Sequence, residues 1–268
     1  MNIALVMGCA RSGTSILGEL IGAHPEVKYK HEAHAAWNKA GLGENESHRL
    51  TAQHATPKVA RQIRKRFELE KGNAKLFAEK CPRSVLRIPF IREIFPEAKL
   101  IHIIRDGRDA ACSMLPGVGG SEWRHLKPPN WQQLFQEERG IMRCVQAWKS
   151  IMEIALHDLS GVPHLTLKYE DLVANPQQLA AEILRFLELP EHPEVLAFCK
   201  KIQNQTADSY QAQKQAKWFR DDHQVRVGRW RENLPNGEAR AVEDLLRPLL
   251  IKLGYQAESL NQRVIESL

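Results

Sequence analysis

The sequence predicts an α/β fold built on a central parallel sheet flanked by helices, and three observations carry that expectation. Short apolar runs of strand type recur at 3–7, 74–78, 99–104 and 163–167. Segments with helical spacing separate them, as strand–helix–strand units require. The run 99–104 is apolar beyond Lys99 except at His102, which suits a strand covered on both faces.

The elements follow in order. Strand 3–7 meets a turn carrying Gly8 and Gly13, then a helical pattern over 15–23 that Ala23-His24-Pro25 closes. Val27-Lys28-Tyr29 predicts a short second strand, with Lys30 to Trp37 just beyond it. Residues 41–56 are polar and predict a loop or mobile lid, and 57–69 predicts a basic amphipathic helix. Strand 74–78 runs into Glu79-Lys80-Cys81-Pro82, and a helix over 85–95 ends before Pro96. Strand 99–104 stops at Arg105-Asp106-Gly107-Arg108-Asp109, which opens a helix through Met114.

Residues 116–130 hold three glycines and three prolines and predict a long loop. A long helix follows over 131–159, with Gly140 as its candidate break. After strand 163–167, Tyr169-Glu170-Asp171-Leu172-Val173 leads to a helix over 177–187, with Asn175 as N-cap and Pro176 at the first helical position. Helices are expected at 194–202 and 237–253, the last kinked or restarted at Pro248. Residues 203–226 are polar and mixed.

At 268 residues the chain can bury a sizeable core, and its 43% apolar and 26% charged residues are ordinary for a globular protein. A net charge of +6 fits an anionic ligand without demanding one. Cys9, Cys81, Cys112, Cys144 and Cys199 are scattered without a C-x-x-C pair, which predicts reduced thiols and argues against a disulfide scaffold or a zinc site. The first apolar run is too short for a signal peptide or a membrane span, so a cytoplasmic protein with neither membrane nor nucleic-acid partner is expected.

Ligands of open parallel sheets lie at the carboxyl ends of the strands. Here those ends are Gly8, residues 30–32, Lys80, Arg105 and Lys168, four of them charged. The first is an anion cradle, in which the loop amides and the dipole of the following helix both point at whatever lies there. Gly8-x-x-x-x-Gly13-Thr14-Ser15 has the spacing of a nucleoside-triphosphate loop, but Thr14 replaces its lysine. No aspartate ends a strong apolar strand to hold magnesium. A cysteine-phosphatase loop fails as well, because the sixth residue after Cys9 is Ser15 rather than arginine. A nucleotide kinase or phosphotransferase with an unusual loop remains open, as does a non-catalytic nucleotide-binding protein presenting the basic helix 58–66 to a partner.

Arg11-Ser12-Gly13-Thr14-Ser15, Ala23-His24-Pro25, Glu32, Lys80 and Arg105-Asp106-Gly107-Arg108 with Ser113 together resemble the sulfotransferase family, and its tyrosylprotein sulfotransferase branch most. The resemblance implies a P-loop-like three-layer fold and transfer of a sulfuryl group from 3′-phosphoadenosine 5′-phosphosulfate (PAPS) to an acceptor hydroxyl, without a metal. It places the 5′-phosphosulfate in the loop of Arg11, Ser12, Gly13, Thr14 and Ser15, with Arg11 facing the leaving group. It places the 3′-phosphate on Arg105 and Ser113. Glu32 corresponds to the general base and Lys80 to the lysine that stabilises developing charge. Tyr169 matches a tyrosine near the donor, and Arg229-Trp230 a C-terminal pair that closes over it, with Lys217 as a further candidate.

His31 and His34 flank Glu32 and are alternative bases or acceptor contacts. The resemblance divides the single domain into a nucleotide core (1–115 and 163–190) and acceptor or lid regions (38–70, 116–160 and 191–268). The family's further basic residue beyond Ser113 would fall near Gly117, inside the glycine-rich loop. The disulfides and membrane anchor of the secretory enzymes are missing, so the expected acceptor is a tyrosine, a phenol, a sugar or another small alcohol.

Overall fold

The computed structural model describes residues 1–41, 46–206 and 227–256. Its five strands are β1 (Ile3–Met7), β2 (Val27–His31), β3 (Leu76–Lys80), β4 (Lys99–Ile104) and β5 (His164–Lys168). They pair in parallel in the order β2-β3-β1-β4-β5. The register sets Val6 beside Lys80, His31 beside Lys80, Met7 beside His102 and Ile104 beside Lys168. All five carboxyl ends therefore open on one edge. The chain departs from β1 toward β2 on one side and β4 on the other, which makes the end of β1 the switch point where such sheets bind ligands.

Alternate side chains build a layer on each face. Leu5, Met7, Phe77 and Leu100 pack toward Phe67, Phe90 and Trp148, while Ala4, Val6, Ala78, Ile101 and Ile103 pack toward Ile16, Leu17, Leu20 and Ile183. The first layer comes from α3 (Pro57–Lys71), α4 (Ile88–Ile94), α5 (Gly107–Val118) and α7 (Gly140–Leu159). The second comes from α1 (Thr14–Gly22) and α9 (Pro176–Leu187). Sheet and two helical layers make the expected three-layer α/β architecture.

Several local expectations need correction. Residues 82–86 form a 3-10 turn before the short helix α4, because Pro89 restarts the helix at its second residue. Helix α5 runs on through Pro116 to Val118, beyond its expected end. A proline in the last turn forfeits only one intrahelical bond. Residues 131–159 split into α6 (Trp131–Glu137) and α7, and Gly140 at φ 55° takes the left-handed backbone at the break. Asn175 precedes Pro176 at the start of α9, but its side chain makes no capping bond. The C-terminal helix (Asn236–Lys252) is continuous through Pro248. Within the expected lid, Ala52–His54 is a 3-10 turn and 42–45 lie outside the described residues, as does most of 203–226, including Lys217. Among the described residues no helix is long and apolar enough to cross a membrane.

Candidate active site

The loop after β1 turns on two residues with left-handed backbone, Arg11 at φ 69° and Gly13 at φ 92°. A Cβ on Gly13 would overlap the Tyr169 ring, so only glycine lets that ring lie against the loop. The Ser12 N–H closes the turn on the Cys9 carbonyl at 3.2 Å. Among the described residues no side chain caps α1, which leaves its first amides to the loop. Thr14 is buried, and Ser12 is fully buried with an Oγ that finds no hydrogen-bond partner among the described residues.

Strand β4 delivers Arg105 to the same place. Its Nη1 donates to the Arg11 carbonyl at 2.9 Å, and its guanidinium lies 4.7 Å from the centre of the Tyr169 ring. Arg11 Nε in turn donates to Ser113 Oγ on α5 at 3.1 Å, across 102 residues of chain. The two sequence motifs are one constellation of cations, hydroxyls and amides. An orphaned buried hydroxyl, an uncapped helix start and this Arg11–Arg105–Ser113 set fit a ligand with more than one anionic group.

The rest of the Asp106-Gly107-Arg108-Asp109 motif fixes the first turn of α5 that follows Arg105. Asp106 caps α5 by accepting from the Arg108 N–H at 2.9 Å. Gly107 lets Trp148 approach, since a Cβ there would come 2.7 Å from its ring. Arg108 is bridged by Asp106 and Glu243 at 2.6 Å each and stacks at 4.3 Å on Trp230. Asp109 accepts from the Gly228 N–H at 2.7 Å and the Trp230 N–H at 3.0 Å, so Arg229 stands between two anchored neighbours at the side of α5.

At the other side of β1, Glu32 follows the end of β2 with φ 48°. Its Oε1 accepts from Lys80 Nζ at 2.6 Å, and its Oε2 meets His34 Nε2 at 2.8 Å. Lys80 Nζ also lies 2.9 Å from His31 Nε2. Burial pushes the Glu32 carboxyl up, but the bonds from His34 and Lys80 outweigh it and hold it at about 2. Burial, reinforced by Lys80, lowers the His31 imidazole. The side chain of Lys80 is 1% exposed and that of Glu32 27%, so the carboxylate is the part of the pair that a second ligand can reach.

Sequence reading missed three neighbours of this crevice. Asp109 carries no local sign of its distant amide partners. His125 packs its ring on Gly117, and burial together with Arg11 holds its imidazole down at about 4. A histidine therefore stands where the family's further basic residue was sought. Glu79, next to Lys80 on β3, is fully buried and accepts from the Ala33 N–H at 3.0 Å and from Trp37 Nε1 at 3.1 Å, both at Oε1. Among the described residues no group of three or more His, Cys, Asp or Glu side chains is placed to hold a metal ion.

Comparison with known proteins adds a family to this geometry. A model described as "Sulfotransferase family" matches residues 4–194. A protein-tyrosine sulfotransferase of Drosophila melanogaster is 25% identical over 285 residues, covering 95% of this chain and 52% of its own length. The chain thus spans about half the length of that curated relative. A sulfotransferase domain from the curacin biosynthetic pathway superposes with a TM-score of 0.61 at 16% identity, covering 96% of this chain and 99% of its own. A mouse sulfotransferase complexed with PAP superposes with a TM-score of 0.52 at 16% identity, covering 93% and 84%. These structural likenesses bear on the fold.

Proposed function

This chain belongs to the sulfotransferase family, and on that premise we propose that it transfers a sulfuryl group from PAPS to an acceptor hydroxyl. One observation carries the reading. The Arg11–Ser113 bond at 3.1 Å joins two anion-binding motifs in the crevice that also holds the Lys80–Glu32 pair. Donors for two anionic groups beside a partly exposed carboxylate are what a 3′,5′-substituted nucleotide and a hydroxyl acceptor require together.

In this reading the amides of Ser12 and Gly13, with the Thr14 and Ser15 hydroxyls, hold the 5′ end of the donor. Arg105 and Ser113 hold its 3′-phosphate, Tyr169 flanks it, and Arg229 closes on it from the segment anchored at Asp109. The bound donor supplies an already activated sulfuryl group. Glu32 accepts the proton of the acceptor hydroxyl as general base. Lys80 and Arg11 offset the charge that grows on the leaving oxygen, an effect strongest in a site closed to water. His34 orients the second oxygen of Glu32, and His31 orients Lys80.

The printed name of the Drosophila relative supports a tyrosine hydroxyl as the acceptor class. The test is transfer of label from PAPS across tyrosine peptides, phenols, sugars and lipid alcohols, with calorimetry of 3′-phosphoadenosine 5′-phosphate (PAP) binding. Labelled tyrosine peptide and a strong loss of rate in Glu32→Gln are expected. Absence of PAP binding together with an unchanged Glu32→Gln rate overturns the reading.

A further inference from the structure

Glu79 is a buried carboxylate that the mechanism above does not use. It stands on β3 beside Lys80, and the alternation of the strand sends the two side chains to opposite faces of the sheet. It faces the layer that holds Trp37 and Phe67, where it is 0% exposed. Such a position is costly for an ionisable group unless its bonds do something that an apolar residue could not. Burial pushes its carboxyl up to about 7, against the opposing pull of the Ala33 and Trp37 bonds.

What its bonds hold is the turn at Glu32. Glu32 is one of the few residues other than glycine with a left-handed backbone, at φ 48°. Its N–H donates to the Lys80 carbonyl at 2.8 Å, and the His34 N–H donates back to the Glu32 carbonyl at 2.7 Å. The next amide, that of Ala33, goes to Glu79 Oε1 at 3.0 Å, and the same oxygen takes the Trp37 indole N–H at 3.1 Å. Adjacent residues of one central strand therefore grip Glu32 from both sides. Lys80 binds its amide and its carboxylate, while Glu79 binds the amide that follows and the short helix (His34–Trp37) beyond it. Glu79 Oε2 and Nη1 of Arg87, a second buried charge, have no hydrogen-bond partner among the described residues. Only one Glu79 oxygen carries both bonds, so the amide oxygen of glutamine can replace it.

We propose that Glu79 is a positioning residue: its buried carboxyl holds the left-handed turn at Glu32 and thereby aims the Glu32 carboxylate at the acceptor hydroxyl. The proposal rests on the reading of Glu32 as the base. A general base works only within hydrogen-bond reach of its proton, and a misplacement of about 1 Å costs about 10²-fold in rate. Loss of the grip should appear in kcat and leave the donor site, built on β1 and β4, intact.

The test uses the full chain with labelled PAPS and a tyrosine peptide as probes, together with PAP calorimetry and hydrogen exchange of residues 32–38. Glu79→Leu is expected to lower kcat by about 10²-fold, to leave PAP affinity within about twofold, and to speed exchange over 32–38. Glu79→Gln is expected to stay within about tenfold of the parent kcat with parent-like exchange. Parent kcat in Glu79→Leu, a Glu79→Gln variant as slow as Glu79→Leu, or lost PAP binding in both overturns the proposal. Should Glu79→Leu fail to fold, Trp37→Phe removes one of the two donors. Faster exchange and a lower kcat support the proposal, and parent values of both overturn it. Glu32→Gln separates the two readings. A parent rate in that variant removes the base and this proposal with it, whereas an inactive Glu32→Gln beside a parent-like Glu79→Leu overturns only the positioning.

Discussion

Lys80 Nζ lies 2.6 Å from Glu32 Oε1, so the cation and the carboxylate proposed for opposite halves of the transfer are bonded to each other in this structure. At about 2, the Glu32 carboxyl is a poor proton acceptor. Turning Lys80 toward the anion of a bound donor would strengthen it, and this would link the proposed base to occupation of the proposed donor site. Lys80→Met removes the bond from one side. The variant is expected to raise the Glu32 titration toward its ordinary 4.5 and to lower kcat by about 10²–10³-fold. Carboxyl NMR and a pH–rate profile check both. A Glu32 titration unmoved by the substitution uncouples the two groups.

The two carboxyls of the Glu32 turn give stability dependences of opposite sign. Glu32 is depressed in the folded chain, from 4.5 to about 2, so its contribution is present above about 4.5 and is lost as pH falls through 2. Glu79 is raised, from 4.5 to about 7, so its contribution is present below 4.5 and is lost as pH rises through 7. Thermal melts should show Glu32→Gln losing most against the parent near neutral pH and converging with it toward pH 2. Glu79→Gln should gain on the parent between pH 5 and pH 7. Identical slopes for parent and Glu79→Gln in that window sink the second assignment.

Much of this architecture is legible because the central strands carry their signal locally. Residues 3–7 are a continuous apolar run and 99–104 is one broken only by Lys99 and His102, as suits strands covered on both faces. The loop shows in its glycine spacing at a strand end, whereas the pairing of Arg105 with Ser113 comes from the family resemblance. What sequence leaves hidden is carried by distance. Glu79 reads as the polar end of a strand, and nothing near it announces partners 46 and 42 residues away at Ala33 and Trp37. Asp109 reads as a first-turn acid of a helix, while its bonds go to amides 119 and 121 residues later. Pro116 reads as a loop residue because propensity takes no account of its place in the last turn of α5.

Ser113 and Arg105 should differ in what they contribute to nucleotide binding. Ser113 is a neutral hydroxyl whose Oγ accepts from Arg11 at 3.1 Å. Ser113→Ala is expected to weaken PAP binding by about tenfold, the worth of one hydrogen bond to a charged group. Arg105 brings charge and holds the Arg11 carbonyl at 2.9 Å. Arg105→Gln is expected to weaken binding by about 10²-fold or more, as loss of a charge-assisted bond does. Calorimetry at two salt concentrations checks this, with the Arg105→Gln deficit shrinking at high salt. If adenosine 5′-phosphosulfate, which lacks the 3′-phosphate, loses as much affinity as PAP in both variants, the 3′-phosphate lies elsewhere.

Asp109 offers a test of the C-terminal segment through a residue that is not itself a proposed ligand contact. It accepts from the Gly228 N–H at 2.7 Å and the Trp230 N–H at 3.0 Å, and thereby sets Arg229 between two fixed points. Burial pushes its carboxyl up, against Arg105 and the bonds from Trp230 and Gly228, so the group stays buried because of those bonds. Asp109→Ala frees both amides and lets Arg229 drift. If Arg229 closes on the nucleotide, Arg229→Ala and Asp109→Ala should each weaken PAP binding by about tenfold, and the double variant should lose little more than either. Residues acting through one contact are non-additive in this way, whereas independent sites add. Full additivity in the calorimetric cycle means that Asp109 acts on the Arg105 side of α5, and that Arg229 reaches the nucleotide without its help.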